Sequence, residues 1–359
     1  MTQTLARTLA QVFRAFGALL SLLFVSACAT DPGPNRMRDA GTPLEDARVL
    51  ADAPFPDVVL SDAPGPDAPA CETPAPAVPP DVVIAPEFAA SYSVFSLGPP
   101  PGIPGPLGGM IVSHDDPSTL LIGGASETPS GAIYSIRIRR SACGHIVAWD
   151  GTATQLASAP YVDANLLYGP EQVLVFTEWP QFQFSQLRPG DAATTTRTDL
   201  RELVTFAAGD RGAGGIGYVP AALGGGGAMR IVTWPTGDWY HLSATFTPGG
   251  TYTVGSVTLA TNLPNGPGGF AYIPAGSPGF AAQSIIVAEW SHNSVAAYEV
   301  DGSGDPIPAT RRDFLSYFRL PWGAYFEPET GDYLFLDWGG GNNVLIVQGF
   351  VPPPDDPLF

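Results

Sequence analysis

An all-β domain is what this sequence predicts: a β-propeller of five blades, with six as the alternative, behind a disordered tether. Three observations carry that expectation. Strand and turn formers dominate the chain, with Gly 42 and Pro 39 against 14% charged residues, a composition suited to many short strands joined by tight turns. A motif returns at steps of 56, 50, 54 and 54 residues, a period at which propeller blades repeat. A lone apolar strand over residues 92–97 stands before the first repeat, placed to complete the last one and leave no open edge.

The chain opens on an expected export signal. Arg7 and Arg14 precede a short apolar run over residues 15–25, too short for a comfortable transmembrane helix. The run ends in Val25-Ser26-Ala27-Cys28. An aliphatic residue, two small residues and a cysteine resemble the bacterial lipobox. That resemblance implies diacylglycerol on the Cys28 sulfur and cleavage just before it. Residues 1–27 thus read as a lipoprotein signal peptide, and the mature chain as anchored to a membrane of the cell envelope. Ala29, where an aspartate would favour inner-membrane retention, points to the outer membrane.

Residues 28–85 read as the tether. Asp39, Asp46, Asp52, Asp62 and Asp67 are each followed by alanine, and prolines crowd residues 54–80. Such a segment cannot bury enough apolar surface to offset its ordering entropy. Proline and like charge extend it, to a reach of roughly 150 Å at about 3.1 Å per residue. Two apolar islands, residues 58–60 and 82–84, could dock on the folded domain. Cys71 and Cys143 remain once Cys28 is lipidated. In an oxidising compartment they are a candidate disulfide pinning the tether to the domain, or else two free thiols.

The repeats occupy residues 86–359. Five segments have the character of inner strands: Gly108-Gly109-Met110-Ile111-Val112, Ala164-Asn165-Leu166-Leu167-Tyr168, Gly214-Gly215-Ile216-Gly217-Tyr218, Gly268-Gly269-Phe270-Ala271-Tyr272 and Trp322-Gly323-Ala324-Tyr325-Phe326. Their small residues suit strands crowded around an axis. Each is followed by a turn and an apolar second strand, at 120–123, 173–177, 229–233, 284–288 and 333–336. Four of these run into tryptophan, at Trp179, Trp234, Trp290 and Trp338. Third strands follow, for example at 132–138, 296–300 and 344–348. Four antiparallel strands per repeat make a propeller blade, and residues 92–97 supply the strand that the last repeat lacks.

The repeats resemble a group of uncharacterised bacterial β-propeller proteins, some of which carry a C-terminal sorting tail. The resemblance rests on Leu121-Ile122-Gly123-Gly124, Gly144-His145-Ile146, Thr330-Gly331-Asp332-Tyr333-Leu334-Phe335 and Gly339-Gly340-Gly341-Asn342-Asn343-Val344, and covers most of residues 88–350. Here the lipobox stands in place of the sorting tail. The resemblance implies the fold and no particular activity.

Charge excludes some functions. A formal net charge of −18 argues against nucleic acid, whose phosphates need a basic surface, and against docking on anionic lipid. Within the repeats, Glu178, Glu289 and Asp337 precede three of the recurrent tryptophans at one turn. Three carboxylates from different blades could converge and hold calcium, with Asn293, Asn342 and Asn343 nearby; alternatively each caps local turn amides. Asp301-Gly302-Ser303-Gly304-Asp305 has the oxygen spacing of a calcium loop and the composition of a hairpin turn, and the turn is the better reading. The histidines, His114, His145, His241 and His292, are scattered. His292, close after Glu289-Trp290, is a possible base, and an ordinary loop histidine otherwise. The tryptophans could stack on sugar or pack between blades. No Gly-x-Ser-x-Gly elbow or phosphate loop occurs. Two function classes follow: a non-catalytic binding or scaffold module for a protein or glycan ligand, and, as the alternative, a calcium-dependent propeller hydrolase or lactonase.

Overall fold

The computed structural model describes residues 82–352 except 318 and 340. Cys28, Cys71 and the apolar island 58–60 lie outside the described residues. Five antiparallel sheets follow one another along the chain, four of four strands and one of five. Blade 1 is β3 (Met110–Val112), β4 (Thr119–Gly124), β5 (Ala132–Arg140) and β6 (Ile146–Ser158). Blade 2 is β7 (Leu167–Tyr168), β8 (Leu174–Glu178), β9 (Gln183–Leu187) and β10 (Thr196–Asp199). Blade 3 is β11 (Gly212–Tyr218), β12 (Met229–Trp234), β13 (Asp238–Thr247) and β14 (Thr251–Asn262). Blade 4 is β15 (Pro267–Ile273), β16 (Ser284–Glu289), β17 (Ser294–Glu299) and β18 (Arg312–Ser316). Blade 5 is β19 (Pro321–Phe326), β20 (Tyr333–Asp337), β21 (Asn343–Gln348) and, from the other end of the domain, β2 (Ser93–Gly98). The fold is a five-bladed β-propeller.

Burial explains the sequence character of each strand position. The second strands are sandwiched between blades and so are apolar on both faces; all five residues of β20 and all six of β16 are buried. The outermost strands meet a blade on one side only. Of the twelve residues of β14, Val254 and Val257 are buried and the rest are threonine-rich and at least half-exposed.

At the axis the inner strands meet backbone to backbone. A methyl on Gly215 would lie 2.4 Å from the Gly268 carbonyl oxygen, and one on Gly269 would lie 2.6 Å from the Ala324 nitrogen. Only glycine allows that approach. The inner strands of blades 3, 4 and 5 break register at the same place, between Ala213 and Ile216, Pro267 and Phe270, and Pro321 and Ala324. These bulges free backbone groups that the side chain of Asn165 takes up. Its Oδ1 accepts from the nitrogens of Ile216 (3.2 Å) and Phe270 (3.3 Å), and its Nδ2 donates to the carbonyls of Phe270 (3.2 Å) and Ala324 (2.8 Å). One buried amide in blade 2 thereby joins blades 3, 4 and 5.

Closure runs as expected from the orphan strand. β2 pairs antiparallel with β21, Ser93 opposite Gln348 and Val94 opposite Val347. Residues just before it are also tied down. Val83 and Ile84 (β1) add a fifth strand to blade 4 against Ser316 and Leu315, so the sheet begins a few residues ahead of the boundary expected at residue 86. Phe88 stacks on Phe280 at 5.0 Å and meets Phe314 edge-on, and Tyr92 packs on Phe350. The ring seam between blades 5 and 1 carries polar latches as well. Arg140 donates to Glu327 (3.2 Å), His145 Nδ1 lies 2.8 Å from Asp332, and the other Asp332 oxygen accepts from the Ile146 nitrogen. Two of the segments that carry the family resemblance, around His145 and Asp332, thus meet each other across the seam. Cys143, in the turn before β6, is in a disulfide.

Candidate functional site

The propeller has two unlike ends. At one, the turns between second and third strands carry Trp179, Trp234, Trp290 and Trp338, all half-buried. Each indole covers the start of the next blade. The Trp179 ring lies where a side chain on Gly212 would go, the Trp234 Nε1 lies against Gly266, Trp290 meets Trp322 at 5.2 Å, and Trp338 Nε1 donates to the Leu107 carbonyl at 2.6 Å. The indoles also touch one another, Trp290 and Trp338 at 4.9 Å. Packing between blades is therefore their role, and it closes this end of the axis.

The turn carboxylates do not form one ligand set. Glu178 is buried and accepts from Ser185 Oγ (2.7 Å) and Arg197 Nε (2.7 Å) within blade 2. Glu289 is buried within blade 4, where Arg311 reaches it through Nε (2.9 Å) and a terminal nitrogen (2.6 Å), with Ser294, Tyr298 and Asn265 also bonded to it. Asp337 is buried at the matching position of blade 5, opposite Asn343. Among the described residues no group of three His, Cys, Asp or Glu side chains is placed to hold a metal ion. The expectation of three anions needing a shared cation missed the arginines: Arg197 and Arg311, on the outer part of the same blades, supply the compensation for Glu178 and Glu289. Asp301 accepts from the nitrogens of Ser303 and Asp305, as a hairpin turn does. His292 is exposed beside Trp290.

Two carboxyls on this end have a different setting, and the sequence reading passed over both. Asp163 is fully buried at the start of blade 2, with Oδ1 accepting from Trp322 Nε1 at 2.7 Å. Its carboxyl also meets that of Glu127 of blade 1. Burial, then repulsion from Glu127, holds Asp163 well above the ordinary carboxylate range, and burial raises Glu127 to about 7.

The opposite end is open. A cavity of ≈ 390 Å³ is sunk along the axis and walled by the inner strands of all five blades. Asn165 lies at its floor, and the walls include Tyr168, Tyr218, Tyr272, Tyr325 and Phe326. The tyrosine hydroxyls are already engaged. Tyr272 donates to the Gly304 carbonyl at 2.6 Å, Tyr218 and Tyr252 share a bond at 3.0 Å, Tyr168 accepts from the His114 nitrogen at 3.3 Å, and Tyr325 is bonded to the Val112 backbone. Burial holds Tyr218, Tyr272 and Tyr325 far above the ordinary phenol range, so they stay neutral. Acidic groups mark the rim: Glu327, bonded to Arg140 and Thr330, and the exposed Glu329. The cavity thus presents ring carbon on its walls, with tyrosine hydroxyls bonded within the protein and acidic groups at its rim.

A second hollow of ≈ 390 Å³ lies between blades 3 and 4, beside Gly224, Gly225, Arg230 and His241. Its charges are bound up in one latch. Asp305 accepts from Arg230 Nε (2.7 Å) and Trp239 Nε1 (3.1 Å) on one oxygen and pairs with His241 Nε2 (2.6 Å) on the other.

No protein-family model matches this chain, and no curated protein matches it by sequence. Solved structures similar to it include a gluconolactonase from Xanthomonas campestris, at 14% identity and a TM-score of 0.42 over 79% of this chain and 89% of that one. A putative 6-phosphogluconolactonase from Bacteroides uniformis is similar at 12% identity and a TM-score of 0.40, over 70% and 69%. An auxiliary nutrient binding protein from Bacteroides thetaiotaomicron is similar at 10% identity and a TM-score of 0.38, over 67% and 58%. Identities this low leave the chemistry to be read from the residues themselves.

Proposed function

We propose that this propeller is a non-catalytic binding module, held to a cell-envelope membrane through lipid on Cys28, and that its axial cavity receives an apolar or aromatic group of its ligand. The cavity carries the reading. It is concave, is framed by rigid strands from five blades, and has the size of a small-ligand pocket. Its tyrosine hydroxyls are occupied by partners within the protein, so a polyhydroxylated sugar would leave its own hydroxyls unpaired there, at a cost of about 1–3 kcal/mol for each buried group. An apolar group loses nothing of that kind. A protein ligand presenting an aromatic side chain suits this cavity better than a glycan does.

The calcium-dependent hydrolase or lactonase was built on a metal held by Glu178, Glu289 and Asp337. The arginines bonded to Glu178 and Glu289 remove the reason for a metal at that turn.

Two experiments bear on the proposal. A ligand that binds the native state raises the unfolding midpoint by mass action. N-acetyl-tryptophanamide is expected to raise it and maltotriose at equal concentration to leave it unchanged; the reverse order, or no effect of either, counts against the cavity reading. For the anchor, supported by Val25-Ser26-Ala27-Cys28, Cys28→Ala is expected to release the protein from the membrane fraction. Retention of that variant through a high-salt wash would place the anchor elsewhere.

A further inference from the structure

Four of the five junctions between blades are covered by an indole from the preceding blade, and the junction of blades 1 and 2 is not. Strand register puts Ala125 where the other blades carry tryptophan, since Ile122 opposes Met110 as Phe335 opposes Ala324. The chain then loops through Ser126 to Glu127, with Ala125 and Glu127 both at positive φ, 47° and 60°. The Glu127 nitrogen bonds to the Val162 carbonyl of blade 2, and its carboxyl comes within hydrogen-bonding reach of Asp163. A strained loop carrying an acid thus stands where an apolar lid stands elsewhere.

The two acids differ from Glu178 and Glu289 in having no basic partner bonded to them among the described residues; Asp163 is bonded instead to the neutral indole of Trp322 and to Glu127 itself. Ser126 Oγ is buried without a hydrogen bond, and Asp163 Oδ2 has no partner apart from the Glu127 carboxyl. The Ser126 hydroxyl lies at the same junction, since a methyl on Gly108 would meet both it and the Asp163 carbonyl, and one on Gly123 would meet both it and Val162. Without a cation the pair is held together by a proton, since burial and the facing Glu127 keep Asp163 well above the ordinary carboxylate range; ionised together the two would repel strongly, and the buried Ser126 hydroxyl at the same junction is left without a partner.

We propose that the Glu127–Asp163 junction is a calcium site. Its donors are all oxygen: two carboxylates, the Ser126 hydroxyl and, on the half-exposed side of Glu127, water. Oxygen ligands select a hard cation, and calcium tolerates the irregular, flexible coordination that a loop and a strand end provide, whereas magnesium demands a near-ideal octahedron. The bound cation would join blade 1 to blade 2 at the one junction without an indole. It lies at the closed end of the axis, apart from the open cavity, and is independent of what that cavity binds.

Terbium replaces calcium at oxygen sites and luminesces when a nearby indole is excited, and Trp322 is bonded directly to Asp163. Titrating the full-length protein with terbium under indole excitation is expected to give saturable luminescence that calcium displaces. Glu127→Gln, at a half-exposed loop position that should not disturb folding, is expected to weaken terbium binding by about ten-fold or more. No saturable luminescence from the wild type would show that the pair shares a proton only and would overturn the site. Luminescence unchanged in Glu127→Gln would overturn it equally, by placing the cation at other acids such as those of residues 28–85.

Discussion

Side chains that bridge blades are where single substitutions should matter most. Asp305 joins Arg230 and Trp239 of blade 3, with His241, to a turn of blade 4. The Arg230 side chain is 3% exposed, so removing its carboxylate leaves a buried charge uncompensated. Asp305→Asn is expected to cost about 3–5 kcal/mol in denaturant unfolding, while a change below about 1 kcal/mol would class the latch with surface pairs. The same residue predicts an acid dependence. Burial pushes its carboxyl up, but the bonds and charges of His241 and Arg230 together hold it below 3.8. The folded state therefore binds this proton more weakly than the unfolded state does. The contribution is present above the ordinary carboxylate value and is lost as pH falls through the lowered one. Unfolding measured below pH 3.8 should show the wild type and Asp305→Asn converging; a constant gap would mean that the carboxylate is not what the latch depends on. The latch could not be read from the sequence, because His241 and Asp305 are 64 residues apart and the Asp301–Asp305 run reads there only as a turn. Asn165 was equally hidden, as its partners lie 51, 105 and 159 residues away.

Strands were far more legible than contacts. Second strands such as Ser284–Glu289 read as unbroken apolar runs because both faces are covered, and glycine pairs marked the inner strands because backbones touch there. The lone strand before the first repeat had no partner nearby in sequence and could only complete the last blade, which is where β2 lies. Truncation to residue 99 is therefore expected to unfold the domain cooperatively or lower its melting temperature sharply. It opens the β21 edge and removes Phe88, Tyr92, Val94 and Leu97, all buried and each worth about 1.5–3 kcal/mol, a sum comparable with the whole stability of a domain. A truncated domain melting with the full one would contradict closure through β2. The carboxylate turn shows the opposite limit. Its position was legible from the recurring tryptophans, but side-chain direction was not, and Arg197 and Arg311 gave no signal because one falls in a fourth strand of little sequence character and the other in the turn just before one. The absence of tryptophan after β4 was visible in the sequence, yet its consequence, an acid pair exposed to the loop, depends on which blade each indole covers.

Viewed whole, the ring separates two tasks. Indoles seal one end and bind blade to blade, leaving the ring-walled cavity at the other end as the concave surface common to all five repeats. A binding module needs that asymmetry: a rigid mouth, and a scaffold held together behind it. The central claim is that binding occurs at the open end. Equilibrium titration with N-phenyl-1-naphthylamine, a neutral aromatic fluorophore, tests it most directly when the wild type is compared with Ala271→Trp, which fills the cavity wall, and Trp290→Phe, which alters the closed end. The account predicts a single saturable site in the wild type, retained in Trp290→Phe and lost in Ala271→Trp. Binding that survives Ala271→Trp but is lost in Trp290→Phe would contradict it and move the site to the indole face.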